Sequence, residues 1–172
     1  MIIYRFRVSL FGEPDVYRII DLSENCTFQD LHKIIFKAFD RYDEHLYSFF
    51  ITGKDTKSFR KIYDSLEIAD PIFLEETGYE NERISAAETA IWEVDLRKGT
   101  VFHYVFDFGD EWWHRIKVED VFETNLRRKK YKKLVKSVGE SPPQYPEYDE
   151  EEDWDEDEDW EDDGWDEEEE ND

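Results

Sequence analysis

From Ile2 to Leu10 the chain alternates, with Ile2, Tyr4, Phe6, Val8 and Leu10 set against Ile3, Arg5, Arg7 and Ser9, which is the period of a strand with one buried face. Gly12 and Pro14 supply a turn, and "VYRIIDL" at 16–22 favours strand, so the opening predicts an antiparallel hairpin. The period then changes. In "CTFQDLHKIIFKAF" the residues Phe28, Leu31, Ile34, Ile35, Ala38 and Phe39 fall at helical spacing, with Thr27 placed as cap and Asp30 three residues on. A short aromatic stretch, "HLYSFFI" at 45–51, ends before Gly53 and predicts a third strand. The resulting ββαβ order points to an α+β fold, a compact roll with a mixed sheet and a β-grasp-like start, because a single amphipathic helix needs one sheet face to bury against.

Further along the signal weakens. Residues 54–83 carry mixed charge, Pro71 and Gly78, and predict a variable connection with one short element near "DPIFLEE". "ISAAETAIWEV" at 84–94, with Ser85 as cap, predicts a second, shorter helix. Beyond Gly99, residues 100–107 and 112–119 predict a second hairpin, and "NLRRKKYKKLVK" at 125–136 predicts a basic helix ahead of Pro142-Pro143. There is no solenoid-type repeat.

Charge divides the chain in two. The net charge is −24 over 172 residues, yet from Glu147 to Asp172 there are 20 acidic residues and no Lys or Arg, so residues 1–146 hold 22 basic against 26 acidic side chains. The chain reads as one near-neutral domain, 1–146, followed by a disordered acidic tail, 147–172, punctuated by Trp154, Trp160 and Trp165. Cys26 is the only cysteine, which excludes an internal disulfide. A cytoplasmic location is expected, with no membrane contact, since Arg5 and Arg7 interrupt the first apolar run and no later run reaches spanning length.

The candidate chemistry sits in "VFHYVFDFGDEWWHRIKVE", residues 101–119. Its D-F-G at 107–109 matches one protein-kinase motif, but no Gly-rich loop and no H-R-D loop accompany it. A two- or four-residue turn would put Asp107 and His114 diagonally on one face; a three-residue turn would send His114 to the aromatic face with Phe106 and Phe108. His45, Asp107, Asp110 and His114 form the candidate functional cluster, with His103 a further possible ligand. Zinc-type spacing such as H-E-x-x-H or paired C-x-x-C is absent, so no metal and no cofactor is expected, and turn-shaping aspartates with half-buried histidines are the plainer reading. Ser9 ends an Arg-Val-Ser tripeptide like that of serine recombinases, but its alternation with Arg5 and Arg7 makes it a solvated strand residue. Arg127, Arg128, Lys129, Lys130, Lys132, Lys133 and Lys136, with Tyr131 among them, could neutralise phosphates and stack on a base, or attract the protein's own tail.

Taken in order, "YRFRVSLFGEPDVYRIIDL", "TFQDLHKIIFKAF", "HLYSF" and "FHYVFDFGDEWWHRIKVE" resemble the Ri-plasmid open-reading-frame-three family, also described as passenger proteins of insertion elements. The resemblance covers most of residues 3–122 and is carried by Asp30 to His32, His45 to Tyr47, Tyr104, Asp107 to Asp110 and His114. It implies a compact α+β domain found near plasmids or mobile elements, and no established activity. Relatives often carry a segment like G-x-x-x-C-P-P-E-D; "GESPPQY" at 139–145 keeps Pro142 and Pro143, has Gly139 two residues closer than that spacing, Ser141 in the cysteine place and Gln144-Tyr145 for the acidic pair. The resolvase label of some members finds no matching nucleophile and arginine cluster here. The expectation is therefore an accessory binding domain whose basic helix, gated by the tail, contacts nucleic acid or a protein partner. The alternatives are a metal-assisted hydrolase or nuclease built on the His/Asp cluster, and a nucleic-acid mimic in which the tail engages a basic protein.

Overall fold

The computed structural model describes residues 1–78 and 83–146. β1 (Ile2–Leu10) and β2 (Glu13–Ser23) form the first hairpin, α1 (Phe28–Ala38) follows, and β3 (Tyr47–Gly53) completes the ββαβ order. Next come α2 (Phe59–Tyr63), β4 (Leu66–Ala69), α3 (Pro71–Thr77), β5 (Ile84–Ser85) and a 3-10 turn at Ile91–Glu93. β6 (Val101–Phe106), β7 (Trp112–Glu123) and β8 (Lys132–Val138) close the described chain. All eight strands join one mixed sheet in the order β5-β4-β3-β6-β7-β1-β2-β8, where only β4 and β5 run parallel. β3 thus lies apart from the opening hairpin, separated from β1 by β6 and β7.

The helix α1 forms where its cap dictates. The Thr27 hydroxyl accepts from the Asp30 N–H at 3.2 Å while the Asp30 carboxylate accepts from the Thr27 N–H at 3.0 Å, a reciprocal box that satisfies two otherwise orphaned amides. Phe28, Leu31, His32, Ile35 and Ala38 point to the sheet. There they meet the alternate residues Tyr4, Phe6 and Val8 of β1 and Phe102, Tyr104 and Phe106 of β6, so one helix face and one sheet face make the main core. On the opposite face a smaller cluster of Phe50, Ile62, Val105 and Trp113, with Phe11 against it, sits under α2.

Two predicted helices are strands or turns instead. Residues 84–94 pair Ile84 and Ser85 with Ile68 and Ala69, bridge Ala90 to Thr27, and keep only one 3-10 turn. Ala86 and Ile91 are both fully buried, and their spacing of five suits two separate contacts better than one helical stripe. The predicted basic helix at 125–136 is a loop followed by β8, which pairs with β2. The open edge of β2 offers unpaired backbone groups, and a Lys-rich strand is the kind that covers such an edge without inviting another chain. The short element near "DPIFLEE" is α3, capped by Asp70, whose carboxylate accepts from the Ile72 N–H at 2.9 Å.

After β8 the chain turns at Gly139 and lies across the α1–β3 connection as a strap. Ser141 donates to the Phe39 carbonyl at 2.8 Å, and Arg41 donates to the Pro142 carbonyl at 3.1 Å. Gly139 has φ +76° and an added Cβ would stand 3.0 Å from the Asp15 carbonyl oxygen and from the Val16 Cα. Gly139→Ala is expected to lower unfolding free energy by about 2 kcal/mol, through left-handed strain and the forced shift of backbone, as read from urea unfolding. The acidic tail, 147–172, lies outside the described residues.

Candidate functional site

The β6–β7 turn decides which candidates meet. Phe106 pairs with Trp112 and Tyr104 with His114, so a five-residue loop adopts the register in which His114 joins the aromatic face. Asp107 begins the loop at φ +62°. Its Oδ1 accepts from the Gly109 N–H at 2.9 Å and from the Asp110 N–H at 3.3 Å, the expected turn-shaping role. Its Oδ2 faces the other way, 3.5 Å from His45 Nε2.

His45 is the centre of a small surface cluster. Its Nε2 lies 2.8 Å from the Tyr145 hydroxyl and 3.4 Å from Asp43 Oδ2. Tyr145 donates its only hydroxyl proton to Asp43 at 2.6 Å, so His45 Nε2 must carry the proton it donates to Tyr145. Beside it, the Gln144 amide accepts from the Tyr42 and Asp43 N–H groups and donates to the Asp43 carbonyl at 2.8 Å. Gln144 and Tyr145 thus fasten the strap to this cluster, while Ser141 holds it at Phe39.

The other two candidates are not part of it. Asp110 is exposed at the loop tip and contributes its backbone N–H. His114 is 1% exposed, with Nδ1 2.9 Å from the Trp112 carbonyl and its ring against Phe39 and Tyr104. Burial, reinforced by the nearby Arg41 charge, pushes its pKa down to about 3. It is a neutral core side chain at physiological pH. His103 is likewise buried, its Nδ1 3.1 Å from the Thr52 hydroxyl. Among the described residues no three His, Cys, Asp or Glu side chains converge as metal ligands.

Sequence reasoning missed a buried polar group behind the cluster. His32 stacks flat on Tyr47, ring centroids 3.7 Å apart, and its Nδ1 lies 2.7 Å from the Tyr104 hydroxyl. Since Tyr104 has no other acceptor among the described residues, its hydroxyl donates to Nδ1 and leaves Nε2–H as the free donor of the ring. Burial, with a smaller contribution from Lys33, pushes His32 down to about 3, so the ring is neutral. In the sequence His32 stands out only within Asp30 to His32, one of the stretches that carry the resemblance, and a helical period cannot show that its ring meets a tyrosine 72 residues away.

The basic segment is divided between two faces. Lys130 and Lys132 both reach Asp30, at 2.6 and 2.9 Å. Burial pulls that carboxyl up, but the two ammonium groups and the Thr27 N–H outweigh it and hold Asp30 well below the usual carboxylate range. Arg127, Arg128 and Lys129 are exposed in the loop before β8, and Tyr131 is partly buried, its backbone bonded to Ser23. Lys133 and Lys136 pair with Asp21 and Ile19 of β2, and so stand on the sheet face opposite α1. That face also carries Arg5, Arg7, Arg115 and Lys117, which the registers of β1 and β7 place together. Arg7 lies over the Tyr17 ring at 3.5 Å, and Lys136 approaches the same ring at 6.0 Å. The acids on and around this face are Asp21, held by Arg5 at 2.8 Å, Asp55, 2.8 Å from Arg115, Glu119, 3.6 Å from Arg7, and Asp120. A trough of about 390 Å³ at one end has Arg7, Ser9, Asp55, Lys57 and Arg115 as its polar lining. Ser9 is 3% exposed and not solvated as expected; Arg115 packs beside it and its hydroxyl reaches the Arg115 carbonyl at 3.4 Å.

An α+β domain of one eight-stranded mixed sheet, with its long helix on one face and a basic strip on the other, is the class that this geometry defines. The chain belongs to the plasmid pRiA4b ORF-3-like protein family, whose sequence profile matches residues 2–169, a longer stretch than the resemblance at 3–122. Its fold is similar to that of a crystallised protein of unknown function from Methanosarcina mazei Go1, with a TM-score of 0.63 at 22% identity, covering 83% of this chain and 72% of the other. No curated protein matches the chain. No helix among the described residues is long and apolar enough to cross a membrane.

Proposed function

We propose that the protein is a binding module that takes a polyanion, a nucleic-acid backbone being the class that fits, on the sheet face opposite α1, with the acidic tail competing for the same face. The observation that carries this reading is the strip of Arg5, Arg7, Arg115, Lys117, Lys133 and Lys136 on one sheet face, with Arg7 and Lys136 at the Tyr17 ring and the three arginines each beside an acid. Residues 1–146 are slightly acidic as a whole, so the grouping of cations on one face is local and not a reflection of composition. Cations at strand spacing track phosphates, and a ring among them can stack on a base. The basic segment contributes as a loop and an edge strand, where the sequence had suggested a helix. A role tied to plasmids or mobile elements fits the family name and adds no chemistry.

A metal-assisted hydrolase is the weaker reading, because only His45 and Asp107 of its four supposed ligands come together. Mimicry by the tail rests on residues outside those described.

The test is binding of labelled single- and double-stranded DNA across a salt series, by the full chain and by a chain ending at Pro146. Tighter binding without the tail is expected, with steep loss on added salt. Changing Lys117, Lys133 and Lys136 to Glu is expected to weaken binding at least tenfold and to flatten the log–log salt dependence by about two to three contacts. Absence of binding by either chain would overturn the proposal.

A further inference from the structure

A cavity of about 490 Å³, with His45 in its wall, opens between α1, the start of β3 and α3. Its floor is the stacked pair of His32 and Tyr47. Tyr47 is 2% exposed and its hydroxyl has no hydrogen-bond partner; Gln29 is a close polar neighbour but does not reach bonding geometry. A buried hydroxyl left unpaired is costly, and one that lines a cavity is available to whatever enters it. Asp70 lies in the same wall at 5% exposure. One of its oxygens caps α3 through Ile72 N–H, and the other has no partner among the described residues. Glu44 and Glu76 stand at the rim, opposed by the single cation Lys33.

We propose that this cavity binds a small organic cation, a primary ammonium or guanidinium group on a short aliphatic body. The charged head would pair with the second oxygen of Asp70 and donate to the Tyr47 hydroxyl, while Leu46, Ile72 and the stacked rings receive the apolar body. The carboxyl of Asp70 is raised above its ordinary value by burial and by the charges of Glu44 and Glu76. A bound cation favours the ionised carboxylate and offsets the repulsion from Glu44 and Glu76. A divalent metal fits less well, since it needs several convergent oxygen ligands and no such group exists among the described residues.

The test is a titration of the full chain, followed by amide chemical shifts, with butylammonium chloride, butanol, sodium butyrate and magnesium chloride at matched ionic strength. Saturable shifts at Gln29, His32, Tyr47 and Ile72 are expected with butylammonium alone. Asp70→Asn is expected to weaken that binding at least tenfold while keeping α3, because Asn caps a helix as well as Asp. Tyr47→Phe is expected to weaken it several-fold while leaving the spectrum otherwise folded. Equal shifts from butanol or butyrate, the same shifts from magnesium, unchanged binding in Asp70→Asn, or no saturable binding of butylammonium would each overturn the proposal.

Discussion

Between pH 7 and pH 4.5 the folded domain is expected to lose about 5 kcal/mol of stability, enough to bring a typical domain close to unfolding. The cause is the pair His32 and His114, each held by burial at a pKa of about 3. An unfolded chain takes up protons on these rings near pH 6.5, whereas the folded one does not, so stability is complete above about 6.5 and falls as pH drops toward 3. Each ring contributes a slope of about 1.4 kcal/mol per pH unit in that window. His103, also lowered by burial, acts in the same direction. Asp70, raised by burial, acts in the opposite direction, since its folded form accepts a proton first. Asp30, lowered on balance by its two lysines, removes further stability only as pH falls below the ordinary carboxylate range. Urea midpoints at a series of pH values measure the slope. His114→Gln should remove the His114 share of it, and an unchanged slope would show that this ring is protonated in the folded state.

Arg18→Leu is expected to cost about 3 kcal/mol or more, because the substitution strands buried carbonyls and not only one charge. Arg18 is 3% exposed, and its Nε donates to the Ala38 carbonyl at 2.7 Å, at the C-terminus of α1. Its Nη1 donates to the Val138 and Gly139 carbonyls at 2.9 and 3.1 Å. One guanidinium therefore ties helix, edge strand and strap, and a cation suits the carbonyl end of a helix. Burial lowers its pKa without neutralising it in the working range. Arg18→Lys is expected to recover little, because a single ammonium cannot serve both sides of that fork. Denaturant unfolding reads the loss, and hydrogen exchange at residues 139–146 should rise with it. A loss below about 1 kcal/mol would show that water replaces the guanidinium.

The parts of this fold that were legible are those with a local cause. Thr27 and Asp30 announce α1 through a capping box, and strict alternation announces β1. The β6–β7 hairpin was visible too, but its register depends on backbone signs at Asp107 and Glu111, both at positive φ, which residue identity does not declare. β8 lies where the basic stretch 125–136, ahead of Pro142-Pro143, predicts a helix. Its structure is set by the vacant edge of β2, a partner more than a hundred residues earlier. The same holds for the site. His45 and Asp107 were found by residue type, but the contribution of Tyr145 and the exclusion of His114 follow from tertiary contacts.

The strap has a consequence for everything that follows it. Gln144, 1% exposed and held by hydrogen bonds to Tyr42 and Asp43, gives the tail a fixed root on the domain. A tethered segment acts at an effective concentration on the order of millimolar, set by chain length and not by how much protein is present. The competition proposed for the 20 carboxylates after Pro146 therefore predicts no relief by dilution. Salt, a tighter polyanion, or cutting the chain near residue 146 can relieve it.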